Sequence, residues 1–270
     1  MVALALTLGS CSVDSARNHY VLAEKLWTDQ KYLASVSEFE KVIAKDPRGK
    51  LGLQATYRAA MTQFLFLSQY GDAIRKFKEF VKGSPDSKSA WDAQLQIGEI
   101  LFAKTEQYDQ AISHYESLIQ QNPTAAESPE FLFRIGKSYF FLFQFKEAIL
   151  SFETIISKYP ETVWAEKAMF EIGSAYFTQG EQNSEDRIPG KEAYDVAMNA
   201  YQRFIKHYPK SLRVPEARFG IASCLEELDQ LGEAYQSYAQ LKASYPSPQV
   251  IDVKLSRIRE RIAQRSGRTR

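Results

Sequence analysis

Cysteine, histidine, glycine and proline are scarce in this chain of 270 residues, and each shortage excludes a class of protein. Two cysteines cannot build a disulfide framework, and their scarcity together with that of histidine argues against a structural zinc site. With 13 glycines and 10 prolines the sequence is neither collagen-like nor a linker. Lys and Arg number 34 against 33 Asp and Glu, a balance that argues against a dedicated nucleic-acid-binding protein.

Motifs of catalysis are missing as well. The three histidines, His19, His114 and His207, lie far apart in sequence, and no His-Glu-x-x-His, Gly-x-Ser-x-Gly or phosphate-loop pattern occurs. Cys224 lies in a helical segment without a neighbouring histidine, which favours a small buried hydrophobic residue. The sequence therefore predicts no enzyme, no catalytic residue, no metal site and no cofactor.

Proline recurs at a nearly constant interval along the chain. The spacings between successive members of the series are 38, 38, 37, 49 and 37 residues. The series is Pro47, Pro85, Pro123, Pro160, Pro209 and Pro246. A period of this length is typical of a solenoid of helix pairs, in which each proline separates one pair from the next.

Small residues and aromatic rings follow the same period. Twelve residues before each proline stands Ser or Ala, and four residues after that stands Phe or Tyr, as in Ala148 and Phe152. Thirteen residues after a proline stands Gly or Ala, as in Gly136 and Gly173. Small residues let two helices approach closely while the ring fills the adjacent space. Since no segment alternates with a period of two, the sequence predicts an all-α fold.

These motifs resemble the tetratricopeptide repeat. Ile135-Gly136-x-x-Tyr139, followed by Ala148-x-x-x-Phe152 and Pro160, matches its pattern, and Ile172-Gly173-x-x-Tyr176 repeats the first half. The resemblance covers residues 16–246 in six units and implies a right-handed α-solenoid of about six helix pairs. The long units are similar to those of envelope lipoproteins, the BamD family of the outer-membrane β-barrel assembly machine and, less closely, the YbgF family of Tol–Pal coordinators.

The N-terminal segment, residues 1–15, carries a second motif. Leu8-Gly9-Ser10-Cys11 follows an apolar run and looks like a bacterial lipobox, in which Cys11 would be acylated. No Lys or Arg precedes Arg17, so a frayed N-terminus is the alternative. In the lipoproteins that the chain resembles, a residue such as Ser12 rather than Asp after the cysteine implies the periplasmic face of the outer membrane.

Two further segments interrupt or end the repeats. Residues 178–192 are polar with Gly and Pro, and we expect an exposed insertion there; its Asp186-Arg187 pair is similar to one in the BamD family. A tolerated surface insertion is the alternative. Residues 247–270 are predicted to form a basic capping helix, from about Gln249 to Gln264, and a tail. Its apolar stripe of Ile251, Leu255, Ile258 and Ile262 is interpreted as a cap on the last repeat, and a contact for lipid phosphate or an acidic partner is the alternative.

Aromatic rings also recur on the first helix of each unit, three residues before and four residues after the small residue. In the tetratricopeptide family this face lines the concave groove, so the resemblance implies partner contacts there, although packing between helices is the alternative. The candidate rings are Tyr20, Trp27, Tyr57, Phe64, Phe102, Phe133, Phe140, Phe170 and Phe177.

The resemblance implies a lipid-anchored scaffold for protein partners in envelope biogenesis. Its partners would be an Omp85-type barrel or that protein's soluble domains, and unfolded barrel substrates, but no nucleic acid. A Tol–Pal or cell-division coordinator and a lipoprotein for pilus or secretin assembly are the alternatives.

Overall fold

The protein is described by a computed structural model that covers residues 4–84, 88–182 and 190–268, with side chains between residues 15 and 265. Within these ranges the chain forms helices and turns, and no β-strand occurs. The helices are α1 Leu4–Thr28, α2 Tyr32–Lys45, α3 Lys50–Leu65, α4 Tyr70–Gly83, α5 Lys88–Glu99, α6 Tyr108–Gln121, α7 Ser128–Phe141, α8 Phe145–Lys158, α9 Val163–Glu181, α10 Gly190–His207, α11 Val214–Glu227, α12 Leu231–Leu241 and α13 Pro248–Arg268. A short π-helical segment, Ile100–Lys104, continues α5. The all-α prediction is confirmed.

Chain order gives six helix pairs followed by α13, and the chain divides into two compact units, residues 1–111 and 112–270. In the first unit α1 packs on α2, α2 on α3, α3 on α4 and α4 on α5. In the second unit the same succession runs from α7 to α13. First helices of successive pairs also touch, α1 with α3, α7 with α9 and α9 with α11. Each unit thus has the neighbour-by-neighbour packing of a helical repeat protein.

The periodic small residues lie where two helices of a pair approach most closely. A Cβ atom on Gly136 would lie 2.6 Å from Cε1 of Phe152, and one on Gly173 would lie 2.6 Å from Cδ1 of Tyr201. Phe152 is fully buried on α8 and Tyr201 is buried on α10. The ring of the second helix therefore occupies the volume that a larger side chain on the first helix would need, as the sequence predicts.

The periodic prolines lie just beyond the second helices. Pro47, Pro123, Pro160, Pro209 and Pro246 follow the ends of α2, α6, α8, α10 and α12, while Pro85 lies outside the described residues. The first four of these lie two residues beyond the helix end and stop the helix there, because proline lacks a backbone N–H and cannot continue a helix. Pro246 lies five residues beyond the end of α12.

A left-handed residue closes the turn inside five of the pairs in the described part of the chain. The five are Gln30, Ser68, Glu106, Phe143 and Asp229. At Phe143, φ is 61°, and the next residue, Gln144, donates its N–H to the carbonyl of Tyr139 at 2.9 Å. This bond satisfies a carbonyl that the end of the first helix leaves unpaired. A bulky residue is rare in this conformation, so Phe143 departs from the polar residues at the other four turns.

Helix covers both edges of the segment where an insertion is predicted, about residues 178–192. Helix α9 continues to Glu181 and α10 begins at Gly190. The two helices approach closely at Gly180, where a Cβ atom would lie 2.8 Å from Cε1 of Tyr194 on α10. Asp186 and Arg187 lie outside the described residues.

Candidate protein-binding surfaces

Four of the nine predicted rings pack against the second helix of their own pair. Tyr20 meets Phe39 edge-on at a centroid distance of 5.5 Å. In three other pairs the corresponding contact joins Tyr57 to Phe77 at 5.9 Å, Phe133 to Phe152 at 5.6 Å, and Phe170 to Tyr201 at 5.7 Å. Tilted and edge-on geometries are those that aromatic pairs prefer. These rings therefore hold the two helices of a pair together.

The other five predicted rings contact an aromatic residue at or near the start of the following helix. The contacts are Trp27–Tyr32 at 6.2 Å, Phe64–Tyr70 at 6.4 Å, Phe102–Tyr108 at 6.0 Å, Phe140–Phe145 at 5.8 Å and Phe177–Tyr194 at 5.6 Å. All nine predicted rings thus have a packing role. That some of them also contact a partner stays a prediction.

More exposed rings, which are not among the nine predicted positions, lie at the turns that follow the first helices. In the first unit Phe66 is 44% exposed, stacks on Tyr32 at 4.3 Å and meets Trp27 edge-on at 5.7 Å. The guanidinium carbon of Arg58 lies 4.8 Å from the Trp27 ring centroid. An exposed aromatic surface with an adjacent cation results, here called the Phe66 cluster.

In the second unit the aromatic turn comprises Phe141–Phe143, between α7 and α8. Phe141 is 41% exposed and Phe143 is 59% exposed, and Phe143 meets Phe145 edge-on at 6.2 Å. Lys137 lies on the same helix end, with its Nζ 5.1 Å from the Phe141 ring centroid. The left-handed backbone at Phe143 directs a large ring outward at a position where the other turns carry polar side chains.

A sequence signal for these residues does exist. Phe64-Leu65-Phe66 and Phe140-Phe141-Leu142-Phe143 each place rings immediately beyond the last packed ring of a first helix. Because α3 ends at Leu65 and α7 ends at Phe141, these rings lie at or just beyond the helix end rather than on the packed stripe of the helix. They do not belong to the periodic positions of the repeat.

Charged side chains connect first helices of successive pairs. Arg58 donates to both carboxylate oxygens of Glu24 at 2.7 Å, which joins α3 to α1. Glu171 on α9 accepts from Lys137 at 2.9 Å and from Arg213 at 3.4 Å. Planar guanidinium groups suit such paired contacts, and the links fix the position of the cations beside the exposed rings.

The last helix, α13, is clamped to α11 by a buried carboxylate. Glu226 has 0% exposure and accepts from Lys254 at 3.0 Å, from Arg257 and from the Tyr238 hydroxyl at 3.2 Å. Burial alone would raise the pKa of Glu226, but the hydrogen bonds from Arg257 and Lys254 outweigh it, so the pKa is lowered.

At the surface Asp229 accepts from Arg261 at 3.0 Å and from Arg265. Ile251, Leu255 and Ile258 bury the apolar face of α13. Four basic residues of this helix are therefore paired with acidic residues of the capping interaction that the sequence predicts. Their charge is partly neutralised, so less positive charge is available for the predicted contact with lipid phosphate.

The remaining positions considered in the sequence are cysteines and histidines. The Cys11 side chain lies outside the described residues, while Cys224 is fully buried and its burial raises the thiol pKa to about 12. His19 contacts Glu38 at 2.6 Å, with no second histidine nearby. Among the residues that the structure describes, no cluster of His, Cys, Asp and Glu could hold a metal ion. Nor does any helix in this part combine the length and apolar character that crossing a membrane requires.

Comparison with known families and structures agrees with this architecture. A family model described as YfiO, outer membrane lipoprotein, matches residues 52–217, more than half of the chain. A tetratricopeptide-repeat model matches residues 191–247. No curated protein matches the chain.

Among the solved structures with a similar fold are two tetratricopeptide-repeat proteins and a pilus biogenesis factor. A tetratricopeptide repeat protein from Parabacteroides merdae has a TM-score of 0.55 and 14% identity over 93% of this chain and 87% of that one. The C-terminal part of a repeat protein from Cytophaga hutchinsonii gives 0.54 and 20%, over 82% and 77%. PilW, a type IV pilus biogenesis factor, gives 0.50 and 16%, over 90% and 97%. At these identities the likeness establishes the fold alone.

Proposed function

Because the chain belongs to the YfiO family of outer membrane lipoproteins, which includes BamD, we propose that it is a protein-binding scaffold for assembly of β-barrel proteins in the outer membrane. The observation that carries this proposal is the family match over residues 52–217. The fold supports it, because a stack of helix pairs offers extended surfaces for protein partners. The scaffold works by binding and positioning other proteins, without catalysis.

The exposed rings are the proposed anchors of that binding. The aromatic turn and the Phe66 cluster each combine aromatic side chains with a cation, Lys137 or Arg58, that an ion pair holds in place. Aromatic and Arg side chains are enriched at the energetic centres of protein interfaces, and aromatic rings bury much surface while they lose little conformational freedom. The nine packed rings support these anchors by fixing the helix ends that carry them.

Partner identity is tested by purification from membranes with a C-terminal tag and Cys11 intact. The proposed partners are an Omp85-type barrel or its soluble domains, together with unfolded barrel substrates. We expect an Omp85-type barrel protein to co-purify. Recovery of Tol–Pal proteins would favour the coordinator function, and recovery of a secretin would favour the pilus or secretin function; either result contradicts the proposal.

Phe143→Asn is expected to reduce the amount of co-purified partner by about tenfold, because it removes the most exposed anchor ring. The same change should leave stability unchanged or raise the free energy of unfolding by about 1 kcal/mol, since Asn tolerates the left-handed conformation that strains Phe. Thermal unfolding and quantitative pull-down measure the two effects on one sample.

The control for this variant is Leu212→Asn, at a residue that is 94% exposed on the loop before α11. It removes an exposed apolar side chain of the same unit outside the aromatic turn. Equal partner loss in both variants would show that general surface hydrophobicity, rather than the aromatic turn, retains the partner.

Cys11→Ser tests the proposed lipid anchor. Acyl chains contribute about 0.8 kcal/mol per buried CH₂, so a multiply acylated Cys11 would hold the protein firmly at the periplasmic face of the outer membrane. We expect the serine variant to move from the membrane fraction to the soluble periplasmic fraction, and globomycin to leave unprocessed precursor. A variant that stays in the outer-membrane fraction would refute the anchor while leaving the scaffold proposal standing.

A further inference from the structure

A groove on the second unit lies between α6 and α8, with α7 as its floor. Its volume is about 480 Å³. Leu132, Ile135 and Tyr139 of α7 form the floor, and Ile119 of α6 and Leu150 of α8 form the walls. Leu150 is 64% exposed although it stands beside this apolar floor. The groove is distinct from the aromatic turn, because its described lining includes neither Phe141 nor Phe143.

Two carboxylates rim the groove from opposite sides. Glu116 stands on α6 and Glu147 on α8, and the described lining residues include no Lys or Arg. Burial raises the pKa of the Tyr139 hydroxyl, and both carboxylates raise it further, so their negative fields converge on the floor. The groove therefore combines an apolar interior with a rim of one charge sign.

We propose that this groove binds an amphipathic helix of a partner protein, with an apolar stripe seated on Leu132, Ile135 and Leu150 and with Lys or Arg residues beside Glu116 and Glu147. Charge complementarity selects a basic occupant. A helix fits because it satisfies its own backbone hydrogen bonds. An extended segment would place unpaired N–H and C=O groups against apolar side chains, and no strand edge is present in this unit's described residues to receive it.

The chain's own basic helix does not supply this occupant. Ile251, Leu255 and Ile258 of α13 are buried on its own unit, while Ile262, the last residue of the predicted stripe, is 38% exposed; Arg257, Arg261 and Arg265 are held by Glu226 and Asp229. The occupant accordingly belongs to another protein. This interaction is independent of the proposed anchor rings, so each can fail without the other.

Fluorescence anisotropy with the full-length chain tests the proposal. The probe is a labelled helical peptide of Leu and Lys, about 18 residues or five turns long, with one leucine stripe flanked by lysines. A peptide of the same composition in scrambled order is its control. We expect the chain to bind the ordered peptide and not the scrambled one, and we expect this binding to weaken as salt is added.

Groove variants should weaken this binding. Combined Glu116→Gln and Glu147→Gln changes are expected to reduce affinity by about fivefold, and Leu150→Ser by about tenfold. The matched control combines Glu153→Gln and Glu161→Gln, which removes the same charge from exposed positions outside the groove lining and should bind as the original chain does. Circular dichroism verifies that all variants keep their helices.

Several results would overturn the proposal. They are equal binding of the ordered and scrambled peptides, equal loss in the groove and control variants, and absence of binding by the original chain. Self-association that Leu150→Ser abolishes would also overturn it, because it would identify a second copy of the chain as the occupant.

Discussion

Replacing Phe152 with alanine is expected to lower the free energy of unfolding by about 3–5 kcal/mol, the usual cost of truncating a buried phenylalanine. The ring is fully buried, lies against Gly136 of the partner helix and contacts Phe133 at a centroid distance of 5.6 Å. The glycine has no side chain that could refill the space, so a cavity would remain at the centre of the α7–α8 pair.

Chemical denaturation measures the total effect, and amide hydrogen exchange locates it. Because a repeat protein is stabilised by contacts between neighbours, exchange should rise first in α7, α8 and α9, and later in α13. Phe66→Ala is the control, because this ring is 44% exposed. It should lower the free energy of unfolding by no more than about 1.5 kcal/mol. Equal costs for the two variants would contradict the assignment of the periodic rings to the core.

Replacing Glu226 with alanine is expected to destabilise the last pair and its cap by about 3 kcal/mol. The change removes the acceptor shared by Lys254, Arg257 and Tyr238 and leaves partly buried donors without their partner. Protease cleavage within α13 and the midpoint of thermal unfolding report the loss. Glu227→Ala, at the exposed neighbouring residue, is the matched control and should change neither.

The lowered pKa of Glu226 also predicts the pH dependence of stability. A carboxyl group with a lowered folded pKa stabilises the fold above its unfolded pKa, ordinarily 4.5, and this contribution disappears as the pH falls through the folded value. The original chain should therefore lose stability below about pH 4.5 more steeply than Glu226→Gln, which lacks this titration. Parallel pH profiles would contradict the role of Glu226 as the ionised acceptor.

Local periodicity made most of the fold predictable. The contact between Gly136 and Phe152 follows from a small residue and a ring that recur at fixed places in a helix pair, and the ends of the second helices follow from the prolines. The burial of Ile251, Leu255 and Ile258 likewise follows from helical spacing. Each of these features depends on residues within one pair or on one helix face.

The candidate surfaces were less predictable, because they depend on contacts between residues that are distant in sequence. Glu171 pairs with Lys137 and Arg213, which lie 34 and 42 residues away, and no periodic pattern singles out these three. The exposure of Phe143 depends on its left-handed backbone rather than on its residue type. Partner contacts by the nine periodic rings stay a prediction, since packing within each pair already accounts for all of them.

The central claim, that exposed rings at the aromatic turn hold an envelope partner, is tested most directly by site-specific photocrosslinking in intact cells. A benzophenone amino acid placed at Phe143 should form a crosslink with an Omp85-type barrel protein or its soluble domains, and one placed at the more exposed control position Leu212 should not. The same crosslink from both positions, or none from Phe143 while Leu212 gives one, would contradict the account.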